Sequence, residues 1–165
     1  MALKILAQQW KDNIIIPVLV RLDIAAKEQS FLSAAAVNIL LGTIAVESNF
    51  NWVRQTSGGP GRGFFQIEPD TAQDVLDRTK KFELSAWHII QEFKSTLSVN
   101  DALVSDISFQ CAIARMKYYL IPVKLPDADN LKGLADYWKV YYQAGGDAGL
   151  PASAFVTAYN KYVQA

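Results

Sequence analysis

The longest apolar run is Ala34-Ala-Ala-Val-Asn-Ile-Leu-Leu-Gly-Thr-Ile-Ala-Val46. Wound at about 3.6 residues per turn it is hydrophobic on nearly every side, which predicts a helix through the core, over about Phe31 to Glu47. Further helices are predicted from Pro17 to about Lys27, Pro69 or Asp70 to about Thr79, Leu84 to Leu97, Asp101 to Leu120, Asn130 to Gln143 and Pro151 to Tyr162. Pro17 and Pro69 suit first-turn positions, where a missing N–H costs nothing. Ile121-Pro-Val-Lys-Leu-Pro126 interrupts the pattern. No other run reads as a strand, so the chain is expected to be mainly α, a single domain over residues 1–165. A small β-hairpin is allowed near residues 57–66, where four glycines and a proline cannot continue a helix.

Glu47 follows the apolar run directly and shares a helical stripe with Ala36, Leu40 and Thr43, so its carboxyl group points toward the packed side. Burial and the negative end of the helix dipole both disfavour its charge and should raise its pKa. An acid that stays protonated near neutral pH can donate a proton to a leaving oxygen. The glycine-rich turn beyond it can approach a ligand closely with its backbone.

These segments together resemble the signature of soluble lytic transglycosylases and the wider lysozyme-like superfamily, goose-type lysozymes included. The match runs through Glu47-Ser-Asn-Phe50, then Gly61-Arg-Gly-Phe-Phe-Gln-Ile-Glu-Pro-Asp-Thr-Ala72, and a third block, Tyr141-Tyr-Gln-Ala-Gly-Gly146, similar to the family's Tyr-Asn-Ala-Gly. The spacing from Glu47 to Gln66 is one residue longer than usual, Phe64-Phe65 replaces the commoner Leu-Met, and Gln143 stands where Asn is usual. The resemblance implies Glu47 as the catalytic residue, with Ser48, Gly63, Phe65, Gln66, Tyr142 and Gln143 around the substrate. Gln66 would hold sugar acetamido and hydroxyl groups, and Tyr142 would orient the acid or the acetamido group. Phe64, Phe65 and Trp52 offer apolar faces to sugar rings. The substrate so implied is the glycan strand of peptidoglycan.

Glycoside hydrolysis usually takes two carboxylates, yet no Asp or Glu lies between Ser48 and Ile67. The segment Gly61-Arg-Gly-Phe-Phe-Gln66 also resembles family 19 chitinases, but these place a second catalytic glutamate before the motif, where this chain has none. Glu68 and Asp70 remain as partners, although a helix start favours their interaction with free backbone N–H groups; Asp147 is a more distant acid. A lone Glu47 suits the transglycosylase reaction, in which one residue acts first as acid and then as base. Internal attack by the muramic C6 hydroxyl then gives a 1,6-anhydro end.

Composition narrows the partners. Sixteen basic and sixteen acidic residues give zero formal charge, which offers no electrostatic case for nucleic acid. No segment reaches the roughly 20 apolar residues of a membrane span, and the N-terminus lacks a signal-peptide layout. Cys111 is the lone cysteine, consistent with synthesis in a reducing cytoplasm. The blocks Ala114-Arg-Met-Lys-Tyr-Tyr119 and Tyr137-Trp-Lys-Val-Tyr-Tyr142 are similar to small phage-encoded lysozyme-like proteins. That likeness implies an endolysin or virion-associated enzyme, made in the host cytoplasm and reaching the periplasm or cell wall through holin release or virion delivery. The rival expectation is a virion structural or adaptor protein of the same fold with little or no activity, bound to other virion proteins. Neither a metal nor another cofactor is expected, since one histidine and one cysteine do not make a usual zinc site. A Cys111/His88 pair is a poor amidase because Cys111 lies mid-helix.

Overall fold

The computed structural model describes residues 2–27, 30–51, 53–55, 58–143 and 149–164, with side chains from residue 5 onward. Trp52, Ser57, the Ala144 to Gly146 part of the third motif and Asp147 therefore lie outside the described residues. The fold is mainly α. Helices α1 (Ala2–Trp10), α2 (Ile16–Ala26), α3 (Ala34–Ser48), α4 (Pro69–Phe82), α5 (Leu84–Lys94), α6 (Val99–Ser105), α7 (Ile107–Tyr119), α8 (Leu131–Tyr141) and α9 (Ala152–Tyr159) follow in order. None of the described helices is long and apolar enough to cross a membrane.

The central helix is α3, and ten of its fifteen residues are buried. Its start is fixed by Ser33, whose Oγ accepts the Ala36 N–H at 3.0 Å, satisfying one of the four free donors of the first turn. It ends at Asn49, which takes a left-handed conformation (φ 51°) and donates its N–H to Ala45 O. Glu47 thus sits in the last turn of a helix with both ends defined. Helices α7, α8 and α9 pack against α3. At Gly42 a Cβ would come within 2.0 Å of the Phe155 ring, so glycine lets α9 lie directly on the α3 backbone.

Several expected boundaries move. The helix opened by Pro17 begins far earlier: α1 continues into α2 through a widened π-type turn at Lys11–Ile15, closed by Ile16 N–H to Lys11 O. The extra residue in that turn accommodates the proline, which has no N–H to give, without breaking the rod. The single helix expected over Asp101 to Leu120 is two, because Asp106 leaves helical geometry and its Oδ1 accepts the Phe109 N–H at 2.7 Å, starting α7 afresh. Helix α5 stops at Lys94, short of Leu97, where Ser95 turns to φ 51°.

The expected hairpin near residues 57–66 is reduced to isolated antiparallel bridges, Arg54 with Arg62 and Arg62 with Ile67; no strand occurs among the described residues. Positive φ at Gly63 (70°) and Gln66 (48°) folds the chain back on itself before a ladder can extend. Gly63 is required there: a Cβ would lie 2.4 Å from Leu103 O. The loop is held by Gln110, whose Oε1 accepts the Phe64 N–H at 2.9 Å.

Candidate active site

The end of α3, the loop before α4, α7 and the end of α8 enclose a cavity of about 350 Å³. Its lining includes Glu47, Gln66, Glu68, Lys117, Tyr142 and Gln143. The stripe below Glu47 is closed: Ala36, Leu40 and Thr43 have no exposure at all. Glu47 itself keeps an edge on the cavity while its carboxyl group sits deep. Oε1 accepts the indole N–H of Trp138, a fully buried side chain of α8, at 3.0 Å.

Desolvation dominates the electrostatics of that carboxyl group and pushes its pKa up to about 7, against the opposing pull of the Trp138 hydrogen bond and the Lys117 charge. At neutral pH the acid and base forms are then comparably populated, which is the condition for a group that gives and later takes a proton. No ion pair within 4 Å fixes it in the charged form among the described residues.

Lys117 enters from α7. Its ammonium donates to Tyr142 O at 2.7 Å and lies 3.9 Å from the centre of the Tyr142 ring. Burial lowers its pKa to about 8, while Glu47 and Glu68 favour its charge. Tyr142 is stacked on Tyr118 at 5.1 Å, and the Tyr118 hydroxyl meets Thr43 Oγ1 at 2.8 Å. This aromatic stack joins α7, α8 and α3 beneath the cavity floor.

The residues expected around the substrate divide into two groups. Glu47, Gln66, Tyr142 and Gln143 are brought together on the cavity. Gln66 Nε2 donates to Gly63 O at 2.7 Å, which fixes the side chain, and its Oε1 has no donor among the described residues. Ser48 is corrected: it is fully buried and its hydroxyl donates to Ile44 O at 3.0 Å, because its position on α3 points into the core. Phe65 is corrected likewise: its ring is fully buried, packed edge-on to Trp10, and only its carbonyl serves the site, as acceptor of the Tyr142 hydroxyl at 2.8 Å. That bond also changes the expected role of Tyr142, whose hydroxyl ties α8 to the loop instead of reaching Glu47. Gly63 shapes the turn and takes no place in the cavity lining. Phe64 packs on Trp10 at 4.8 Å, so its ring too is engaged within the protein.

Glu68 differs from its expectation in the opposite sense. It occupies the cap position of α4 without making a side-chain capping bond, and it is among the residues that line the cavity. Asp70 lies in the first turn of α4 and is absent from that lining. Sequence reasoning missed Trp138 and Lys117. Each left a signal: Trp138 lies four residues before Tyr142, on the same face of α8, and Lys117 interrupts an α7 surface otherwise nearly all buried. Cys111 is fully buried and its thiol is pushed up to about 12, which leaves no nucleophilic thiolate in the folded protein.

The assembly offers a proton donor and acceptor of near-neutral pKa, an offset ammonium, a second carboxylate and amide groups on one cavity, a set chemically capable of general acid–base work. No protein family model, curated protein or solved structure matches the chain.

Proposed function

We propose that the chain is a lysozyme-like enzyme of the soluble lytic transglycosylase type, which cleaves the β-1,4 bond between N-acetylmuramic acid and N-acetylglucosamine in peptidoglycan. The observation that carries this reading is Glu47, whose carboxyl group is desolvated to a pKa of about 7 and which lines a 350 Å³ cavity together with Gln66 and Gln143. Glu47 in its neutral form protonates the glycosidic oxygen, and the C1–O bond breaks. The substrate's 2-acetamido group stabilises the positive charge at C1, and Gln66 and Gln143 present amides to the sugar's polar groups. Glu47, now anionic, takes the proton of the muramic C6 hydroxyl, whose oxygen bonds to C1. The enzyme returns to its starting protonation state and the product carries a 1,6-anhydro end. An endolysin or virion-associated role, with the cell wall reached through holin release or virion delivery, is the setting that suits this reaction.

One observation favours a second reading. Glu68 lines the same cavity and has no helix-capping bond, so it is free to activate water as the second carboxylate of a hydrolase. Mass spectrometry of muropeptides released from purified sacculi separates the two. Anhydromuramic ends support the transglycosylase, whereas reducing ends abolished by Glu68→Gln support the muramidase. No released muropeptide from folded protein refutes both.

A further inference from the structure

Lys117 has no counterpart in the residues that the transglycosylase resemblance marks, yet it lines the Glu47 cavity. It is held from two sides, by the Tyr142 carbonyl at 2.7 Å and by the face of the Tyr142 ring at 3.9 Å. This clamp keeps the ammonium near the two glutamates without a direct ion pair to either among the described residues. The offset has a chemical consequence. A contact pair would lock Glu47 in its charged form and remove the acid, whereas no positive charge at all would leave the buried anion uncompensated once the proton is given away.

We propose that Lys117 is a positioning residue, clamped on Tyr142 so that its charge stabilises anionic Glu47 in the second, base half of the reaction. The proposal rests on the glycan-cleaving reading above. The other groups facing Glu47 do not supply that charge. From α8, Trp138 gives a neutral hydrogen bond and the Lys139 ammonium is turned to Gln143 Oε1 at 2.8 Å, while Arg62 of the loop is engaged by the Gly59 and Gly61 carbonyls and Asn100. Tyr118 and Tyr142 remain neutral, since burial holds both phenols well above their ordinary value. Glu68, at the start of α4, is of the opposite sign and adds to the need for a cation. No residue of α9 is charged, and Lys161 beyond it lines a separate cavity with Val46 and Asn49.

The test is a carboxyl and ammonium NMR titration of Glu47 and Lys117 in the wild type, Lys117→Met, Lys117→Arg and Glu47→Gln. Lys117→Met should raise the Glu47 midpoint by about one pH unit. The basic limb of the kcat/KM profile should move upward with it and kcat should fall, while Lys117→Arg restores most of both. By reciprocity, Glu47→Gln should lower the Lys117 midpoint by a similar amount, a readout that survives even if the Lys117 variants do not fold. An unchanged Glu47 midpoint in folded Lys117→Met, or an unchanged Lys117 midpoint in Glu47→Gln, would overturn the proposal. Coupled midpoints in a protein that releases no muropeptide would refute the glycan-cleaving reading and leave the coupling intact. Muropeptide release with uncoupled midpoints would refute only the role of Lys117.

Discussion

Replacing Glu47 with Gln removes one ionisable group and little else, because the amide oxygen can still accept the Trp138 N–H. In the wild type the carboxyl group titrates near 4.5 when unfolded and about 7 when folded. Between those values the folded state binds more protons than the unfolded state, so wild-type stability falls as pH rises through the window. The contribution of neutral Glu47 is fully present below the unfolded value and is lost by the time pH passes the folded one. The shift corresponds to about 3 kcal/mol, or roughly 6 to 12 °C in melting temperature for a domain of this size. Lys117 acts with the opposite sign, since its depressed pKa makes stability rise only above about 8. Urea unfolding of both proteins from about pH 4 to about pH 8 should therefore show Glu47→Gln gaining on the wild type by about 3 kcal/mol. Parallel stability curves would refute the buried-acid argument. A wild type that gains on the variant as pH rises would mean that Glu47 is ion-paired in the folded state.

The remaining predictions concern the frame of the site. Gly63→Ala should destabilise by more than about 2 kcal/mol, since it adds a Cβ against Leu103 O at positive φ; a melting temperature within a degree or so of the wild type would contradict that geometry. Tyr142→Phe removes the donor to the buried Phe65 carbonyl and should cost about 1 to 3 kcal/mol in chemical denaturation. If the hydroxyl instead acted on substrate, kcat would collapse with stability unchanged. Cys111 should react with a disulfide reagent only as fast as the protein unfolds, so prompt labelling of the native state would show the thiol to be accessible.

How much of this was legible in the sequence depended on whether the cause was local. The position of Glu47 followed from an apolar run that can only be a core helix, and the existence of a loop after it followed from its glycines, although the positive φ of Gln66 that replaces the expected hairpin did not. The break at Asp106 was hidden because the residues on either side share a helical apolar spacing; only the side-chain capture of the Phe109 N–H divides them. Phe65 and Ser48 were misplaced for a related reason. A motif fixes the order of residues, but Gln66 at φ 48° and the last turn of α3 decide which side chains turn inward. Trp138 bonds Glu47, and Lys117 acts on it electrostatically across the shared cavity, from helices distant in sequence, an arrangement produced by packing that no short segment encodes.

The most direct measurement is the release of soluble muropeptides from purified sacculi by wild-type protein and by Glu47→Gln, both shown to be folded by near-ultraviolet circular dichroism. Release by the wild type and none above background from the variant is the predicted result. Equal release by the two proteins would contradict the assignment of Glu47 as proton donor.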